Sequence, residues 1–188
     1  MSNVYEALQP FVDEVTRVDY SSLREKESLD FIEPILKRWI DRDDWYHEDF
    51  FHCAPDEEKI FKLYDAPNNG LMILAICWGH DFAPVPHNHN SWAIAGIAMG
   101  VEKHIFYEKE AVTTRGLVKL KQLNVRCFGA GEIMRMGMDD IHSVENVSPN
   151  DGVAISLHIY EKNLDTTERS KFDLVNHREL PYLLDYAV

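Results

Sequence analysis

Cysteine is scarce in this chain. Cys53, Cys77 and Cys127 are the three, odd in number and with no CxxC pair. That argues against a disulfide framework and for a reducing compartment, which makes the cytoplasm the expected location. Basic residues are also in short supply. Lys and Arg number 19 against 32 Asp and Glu, a formal net charge of −13. Nucleic acids and anionic membrane surfaces both demand a basic patch, so neither is an expected partner. No apolar run approaches the roughly 20 residues of a membrane span. Met1–Gln9 has neither a basic n-region nor an apolar h-region, so no secretory signal is read there. Internal repeats and low-complexity stretches are missing as well. What remains is an ordinary soluble composition over 188 residues, enough for one domain spanning 1–188 with a full core, as a monomer or a homo-oligomer.

Periodicity divides the chain. Residues 1–50 read as helical. Val4, Leu8, Phe11, Val12, Val15 and Val18 recur at helical spacing, with a break expected near Pro10. Ser21 and Ser22 are candidate caps for a second helix, whose apolar face is Leu29, Ile32, Ile35, Leu36, Trp39 and Ile40. Pro34 is expected to split it. The acidic, aromatic stretch Asp41–Glu57 reads as a connector.

Residues 58–164 change to short strands. Ile60–Tyr64 precedes the turn Asp65-Ala66-Pro67-Asn68-Asn69-Gly70, and Leu71–Trp78 is a continuous apolar run. Gly79–Pro86 is a loop. Trp92–Met99, Glu102–Glu108, Leu117–Arg126, Glu132–Met136, His142–Val147 and Val153–Tyr160 follow, and such regular spacing indicates an all-β sandwich or barrel. The tail, 165–188, has no strand pattern and is expected to wrap the outside.

Two stretches carry chemistry. His87 and His89 stand at i and i+2, so on a strand both imidazoles leave one face. That is half of a metal site, or else a pair of solvated or hydrogen-bonded histidines. From Val153 to Tyr160 alternation is strict. Val153, Ile155, Leu157 and Ile159 take one side, and Ser156, His158 and Tyr160 the other. The polar side faces either water or a polar cavity.

Together, His87-Asn88-His89 and the later His142 with Asn146 four residues on resemble the two-part metal signature of the cupin family. The resemblance covers about residues 70–160 and implies a mainly β fold, a double-stranded β-helix or jelly-roll barrel with its metal inside, here preceded by a helical segment. Many cupins add a Glu ligand just after the His pair. Here Asn90 to Ile94 contain no carboxylate, and Glu102 lies beyond Gly100. A neutral three-histidine site of His87, His89 and His142 is therefore expected. Three neutral ligands leave the ion's charge uncompensated and favour an anionic ligand such as a thiolate.

Ser156-x-His158-x-Tyr160 on the last barrel strand, beside three histidine ligands, is similar to the thiol dioxygenases of the cysteine dioxygenase type I family. His87-x-His89-x-x-Trp92-x-x-x-Gly96-x-x-x-Gly100 is most similar to the bacterial 3-mercaptopropionate members. The resemblance implies Fe(II), a small carboxylate-bearing thiol and O₂ as substrates, and a sulfinic acid as product. It implies a Ser156–His158–Tyr160 relay. The crosslinked cysteine of the animal enzymes is missing, since Ala93 and Ile94 occupy its neighbourhood. Arg169 follows Tyr160 by nine residues, as does the carboxylate-binding arginine of the mercaptopropionate enzymes; a surface ion pair is its other reading. Lys62 and Trp92 are further substrate-binding candidates, Trp92 equally as a plain core residue. Two alternatives stay open: a three-His cupin dioxygenase acting on a non-thiol substrate, and a non-catalytic cupin that binds a metal or small molecule.

Overall fold

The computed structural model describes residues 4–67, 69–83, 85–112 and 117–187. Asn68 of the expected turn and Pro84 of the expected loop lie outside them. Two helices come first, α1 (Val4–Val15) and α2 (Glu25–Ile40). Pro10 and Pro34 sit inside them without ending either helix. A mid-helix proline removes one backbone bond and strains the previous turn. In α2 the loss is outweighed by the buried face of Leu29, Ile32, Ile35, Leu36, Trp39 and Ile40, as expected from the spacing. Ser21 and Ser22 do not cap α2. They form a 3-10 turn that begins at Tyr20 and is capped by Asp19, and α2 starts after Arg24, whose backbone N–H donates to Glu27 Oε2 at 3.0 Å. The connector is part of the core, because Trp45 and Phe50 are fully covered.

Eleven strands follow among the described residues: β1 (Glu58–Asp65), β2 (Met72–Trp78), β3 (His87–Asn88), β4 (Ala93–Met99), β5 (Val101–Val112), β6 (Val118–Gly129), β7 (Ile133–Met136), β8 (Ile141–Asn146), β9 (Ala154–Tyr160), β10 (Ser170–Asp173) and β11 (Arg178–Pro181). They make two antiparallel sheets, ordered β1-β2-β9-β4-β7 and β11-β10-β3-β8-β5-β6. This is the cupin jelly roll with an N-terminal helical segment. The tail differs from its expectation. It supplies β10 and β11, which extend the second sheet beside β3. Ser-Lys-Phe-Asp and Arg-Glu-Leu-Pro carry too few apolar residues to show alternation. The turn between them is held by Asp173, which accepts from the Val175 and Asn176 N–H groups at 2.9 Å.

Each face of the first sheet has its own job. Ile73, Ala75, Cys77, Ile94, Ile155, Leu157 and Ile159 pack outward against the helices. Met72, Leu74, Ile76, Trp78, Ala93, Ala95 and Ile97 point into the barrel. Both faces are covered, which is why β2 is continuously apolar. Gly96 makes the helix packing possible, since a Cβ there would come within 2.9 Å of Leu36 and Ile40 side chains. Gly100, at φ +78°, turns β4 into β5 where a Cβ would meet Ser148 Oγ at 2.3 Å. Asn146 locks the end of β8, donating to the Trp78 and Gly152 carbonyls at 2.8 Å while accepting from Ser148 N–H.

Candidate metal centre

The barrel interior brings the three histidines together. β3 pairs with β8 so that His87 stands directly opposite His142. His89 follows one pleat later, and the ring centroids lie 4.8–5.0 Å apart. One nitrogen from each ring falls within 4.8 Å of the others. Their bonding leaves atoms free. His87 Nδ1 donates to the Val85 carbonyl at 2.9 Å, which frees Nε2. His142 uses Nδ1 toward His104 Nδ1 at 3.1 Å, and its Nε2 is buried without a partner. His89 Nδ1 is buried and unpartnered too. Burial pushes His87 down to about 4 and drives His89 and His142 well below the ordinary histidine value, so all three rings are neutral donors at pH 7. Neutral, converging, desolvated imidazoles fit a divalent transition metal and little else. No Asp or Glu belongs to the cluster among the described residues.

Beside the triad runs β9. Alternation sends Ile155, Leu157 and Ile159 to the helices and the polar set inward, so the cavity reading of that face holds. Ser156 Oγ lies 2.7 Å from His158 Nε2, and His158 Nδ1 lies 3.2 Å from the Tyr160 hydroxyl. Trp78 Nε1 donates to Ser156 Oγ at 3.2 Å and steadies its far end. The Tyr160 ring stands 5.0 Å from that of His89. Its cross-strand neighbours are Met72 and Ala93, so no thiol is placed to modify it. Burial raises the Tyr160 hydroxyl above its ordinary value, which keeps it a proton-bearing donor. Cys77 lies on the other face of its strand and donates to the Phe50 carbonyl.

A small cavity of about 20 Å³, room for about one water molecule, joins these groups. Its lining also includes Glu58, Leu164, Arg169, Tyr182 and Leu184, with the Tyr182 ring 5.0 Å from that of His87. Arg169 is buried, with Nε donating to the Leu164 carbonyl at 3.2 Å and its guanidinium 4.9 Å from the Tyr182 ring centre. Arg169 Nη2 has no partner. Lys62 and Trp92 do not line the cavity. Lys62 pairs with Asp165 at 2.7 Å beyond the inward-facing Ile60, and lies over the Tyr186 ring. Trp92 precedes the inward-pointing Ala93 and so packs on the helix side. Two lining residues were not foreseen, Glu58 and Tyr182, nor was His104, which contacts His142 from behind. Glu58 belongs to β1, where inward positions alternate, so Glu58 and Ile60 were readable as a pair. Tyr182 carries no local signal, because the path of the tail decides its direction.

A jelly-roll barrel with three histidines converging inside defines a cupin-type metal protein. Residues 41–173 match the family model of cysteine dioxygenase type I. That is well over half of the chain, and the chain belongs to this family of dioxygenases, whose metal is typically iron. Among solved structures, it is similar to an RmlC-like cupin from Methanocaldococcus jannaschii (11% identity, TM-score 0.43, covering 58% of this chain and 84% of the other). It is similar too to an oxalate oxidase in complex with the substrate analogue glycolate (18% identity, TM-score 0.41, 58% and 53%). The Bacillus subtilis oxalate decarboxylase is a third (12% identity, TM-score 0.40, 58% and 26%). No helix among the described residues is long and apolar enough to cross a membrane.

Proposed function

We propose that this chain is an Fe(II)-dependent thiol dioxygenase. It oxidises a small carboxylate-bearing thiol, of the 3-mercaptopropionate or cysteine kind, with O₂ to the sulfinic acid. The observation that carries this reading is Arg169. A buried guanidinium with an unpartnered Nη2 shares a small cavity with three neutral histidines. An anion at each end of one short ligand, thiolate and carboxylate, matches that layout.

The reaction balances without an outside reductant. Both oxygen atoms of O₂ form bonds to sulfur, the sulfur loses four electrons, and O₂ takes them up. His87, His89 and His142 would hold a ferrous ion, which would supply thiolate binding and O₂ activation. The other parts belong to the chain. Arg169 grips the carboxylate, which turns the distance between acid and sulfur into a ruler. The Tyr160 hydroxyl, held by His158 and Ser156, offers a hydrogen bond beside His89. Leu74, Ile76, Val144, Leu164 and Leu184 keep the space around the sulfur dry. Free cysteines at all three positions accord with a reducing cytoplasm.

Oxygen uptake by the iron-loaded protein tests this, across 3-mercaptopropionate, L-cysteine, cysteamine and mercaptosuccinate. Uptake is expected with carboxylate-bearing thiols, with a product heavier by two oxygen atoms. Uptake with no thiol would refute the reading.

A further inference from the structure

Glu102 and His104 sit behind the metal cluster with no side-chain exposure at all. They occupy i and i+2 of β5 and so share a face. β5 pairs with β8, setting Phe106 opposite His142 and His104 opposite Val144. The rings of His104 and His142 lie nearly parallel, 12° apart in plane and 5.3 Å between centroids. His104 Nδ1 is 3.1 Å from His142 Nδ1, and His104 Nε2 is 3.0 Å from Glu102 Oε2. Phe128 packs edge-on to the His104 ring, so water does not compete for these atoms.

With Glu102 ionised, the donors and acceptors line up in one direction. A carboxylate only accepts, so His104 Nε2 carries a hydrogen and donates it to Glu102. In that tautomer His104 has a bare Nδ1, which accepts from Nδ1–H of His142. His142 is left with a lone pair on Nε2, the buried atom without a partner. Reversed, with the carboxyl donating, the chain would place a hydrogen on His142 Nε2 and close it to a metal. His87 is oriented only by a neutral carbonyl, and His89 Nδ1 has no partner. Among the described residues, the anion-backed support goes to His142 alone.

The geometry points to a positioning role for Glu102 and His104. Together they hold His142 in the Nδ1–H tautomer, with Nε2 aimed into the cluster. They also place, two hydrogen bonds outside the ligand set, the negative charge that three neutral imidazoles lack. Such outer partners typically change metal affinity by about 10–100-fold. The inference rests on the three-histidine metal centre proposed above and is independent of which substrate is oxidised.

The first measurement needs no substitution. Long-range ¹H–¹⁵N correlation on the metal-free protein reports the tautomer of each histidine. His142 is expected as Nδ1–H and His104 as Nε2–H; the opposite tautomers overturn the proposal. The second is competition with a chelator for Co(II) and Fe(II). Glu102→Gln and His104→Phe are expected to bind each metal about 10–100-fold more weakly, with a shifted Co(II) ligand-field spectrum, and Glu102→Asp to recover part of the loss. Metal-free thermal unfolding of each variant separates this from misfolding. Wild-type affinity and spectrum in both variants would overturn the relay. A wild-type protein that binds neither ion would instead sink the metal centre itself, and the relay with it.

Discussion

The two ends of the cavity are built by different means. At the metal end, His87 and His142 are register partners on paired strands, and His89 is one pleat away. Their separation is set by β-sheet geometry, with little freedom to drift. At the adjustable end, Arg169, Tyr182 and Leu184 arrive on a segment that returns after the barrel has closed, and the Tyr182 ring packs 5.0 Å from that of His87. Short pairings hold that segment, β10 with β11 and one register pair with β3. Additional ties are the Asn90 amide donating to the Glu168 carbonyl and the Ser170 N–H donating to Asn88 Oδ1. The difference suggests a division of labour: a rigid end for chemistry shared by a family, and an adjustable end for the identity of the substrate.

Breaking the rigid end produces the largest effect. His142→Ala removes one of three ligands and strips His104 of its partner. We expect loss of stoichiometric iron, read by metal analysis after desalting, and no measurable turnover. The metal-free variant still folds, because the core clusters on both sides of the first sheet stay intact. Retention of a full equivalent of iron would show that the triad does not define the site.

At the adjustable end the effect is smaller and selective. Arg169→Ala removes a charged hydrogen bond to the carboxylate, an interaction of about 1.5–3 kcal/mol. KM for 3-mercaptopropionate or L-cysteine is expected to rise by roughly 10–100-fold, with kcat changed less. Cysteamine, which has no carboxylate, serves as the control and should respond little. Equal losses on all three thiols would assign Arg169 to packing against Tyr182.

Between the ends, Tyr160→Phe deletes one hydroxyl and leaves the ring against His89. Iron content should remain at wild-type level and KM near it, while kcat falls by roughly tenfold or more, the worth of one directed hydrogen bond in a dry site. Steady-state oxygen uptake distinguishes this from a binding defect. An unchanged kcat would reduce the relay to a structural network.

Legibility followed the same divide. The His-x-His pair and the alternation of β9 are local patterns, and the sequence carried them to the correct face. The three-histidine set without a carboxylate was readable because Asn90 to Ile94 contain none. Nearby structure misled where packing overrides local preference, as at Pro34 inside α2. The tail failed for a different reason. β10 and β11 carry too few apolar residues to show alternation, and only closure of the barrel turns Arg169 and Tyr182 inward. Glu102 illustrates both sides. Its exclusion from the ligand set was legible from its position past Gly100. Its burial two hydrogen bonds from the centre was not, since that depends on how β5 pairs with β8.

The smallest expected effect on turnover concerns Glu58, the acidic group at the adjustable end. Burial raises its carboxyl to about 7, against the pull of the Arg169 guanidinium. A carboxyl whose folded pKa exceeds its unfolded value favours folding most where it is protonated in both states, below about 4.5. As pH climbs from there to about 7 the unfolded chain ionises first, so stability falls across that window and the deficit is complete above it. The shift corresponds to about 3 kcal/mol at most, less after allowing for residual exposure. His87 and His158, pushed down to about 4 by burial, act in the opposite sense in the metal-free protein, losing stability as pH falls through the same range. The wild-type profile alone is thus mixed, and the comparison with Glu58→Gln isolates the carboxyl. Urea unfolding of the two metal-free proteins should give a stability difference that moves in favour of the variant between pH 5 and pH 8. With iron bound, the same substitution removes the only acid lining that cavity among the described residues. The ratio of kcat/KM for L-cysteine over 3-mercaptopropionate should then fall, because only the first carries an ammonium for Glu58 to face. A constant ratio together with a flat stability difference would leave Glu58 outside both roles and make the adjustable end the work of Arg169 alone.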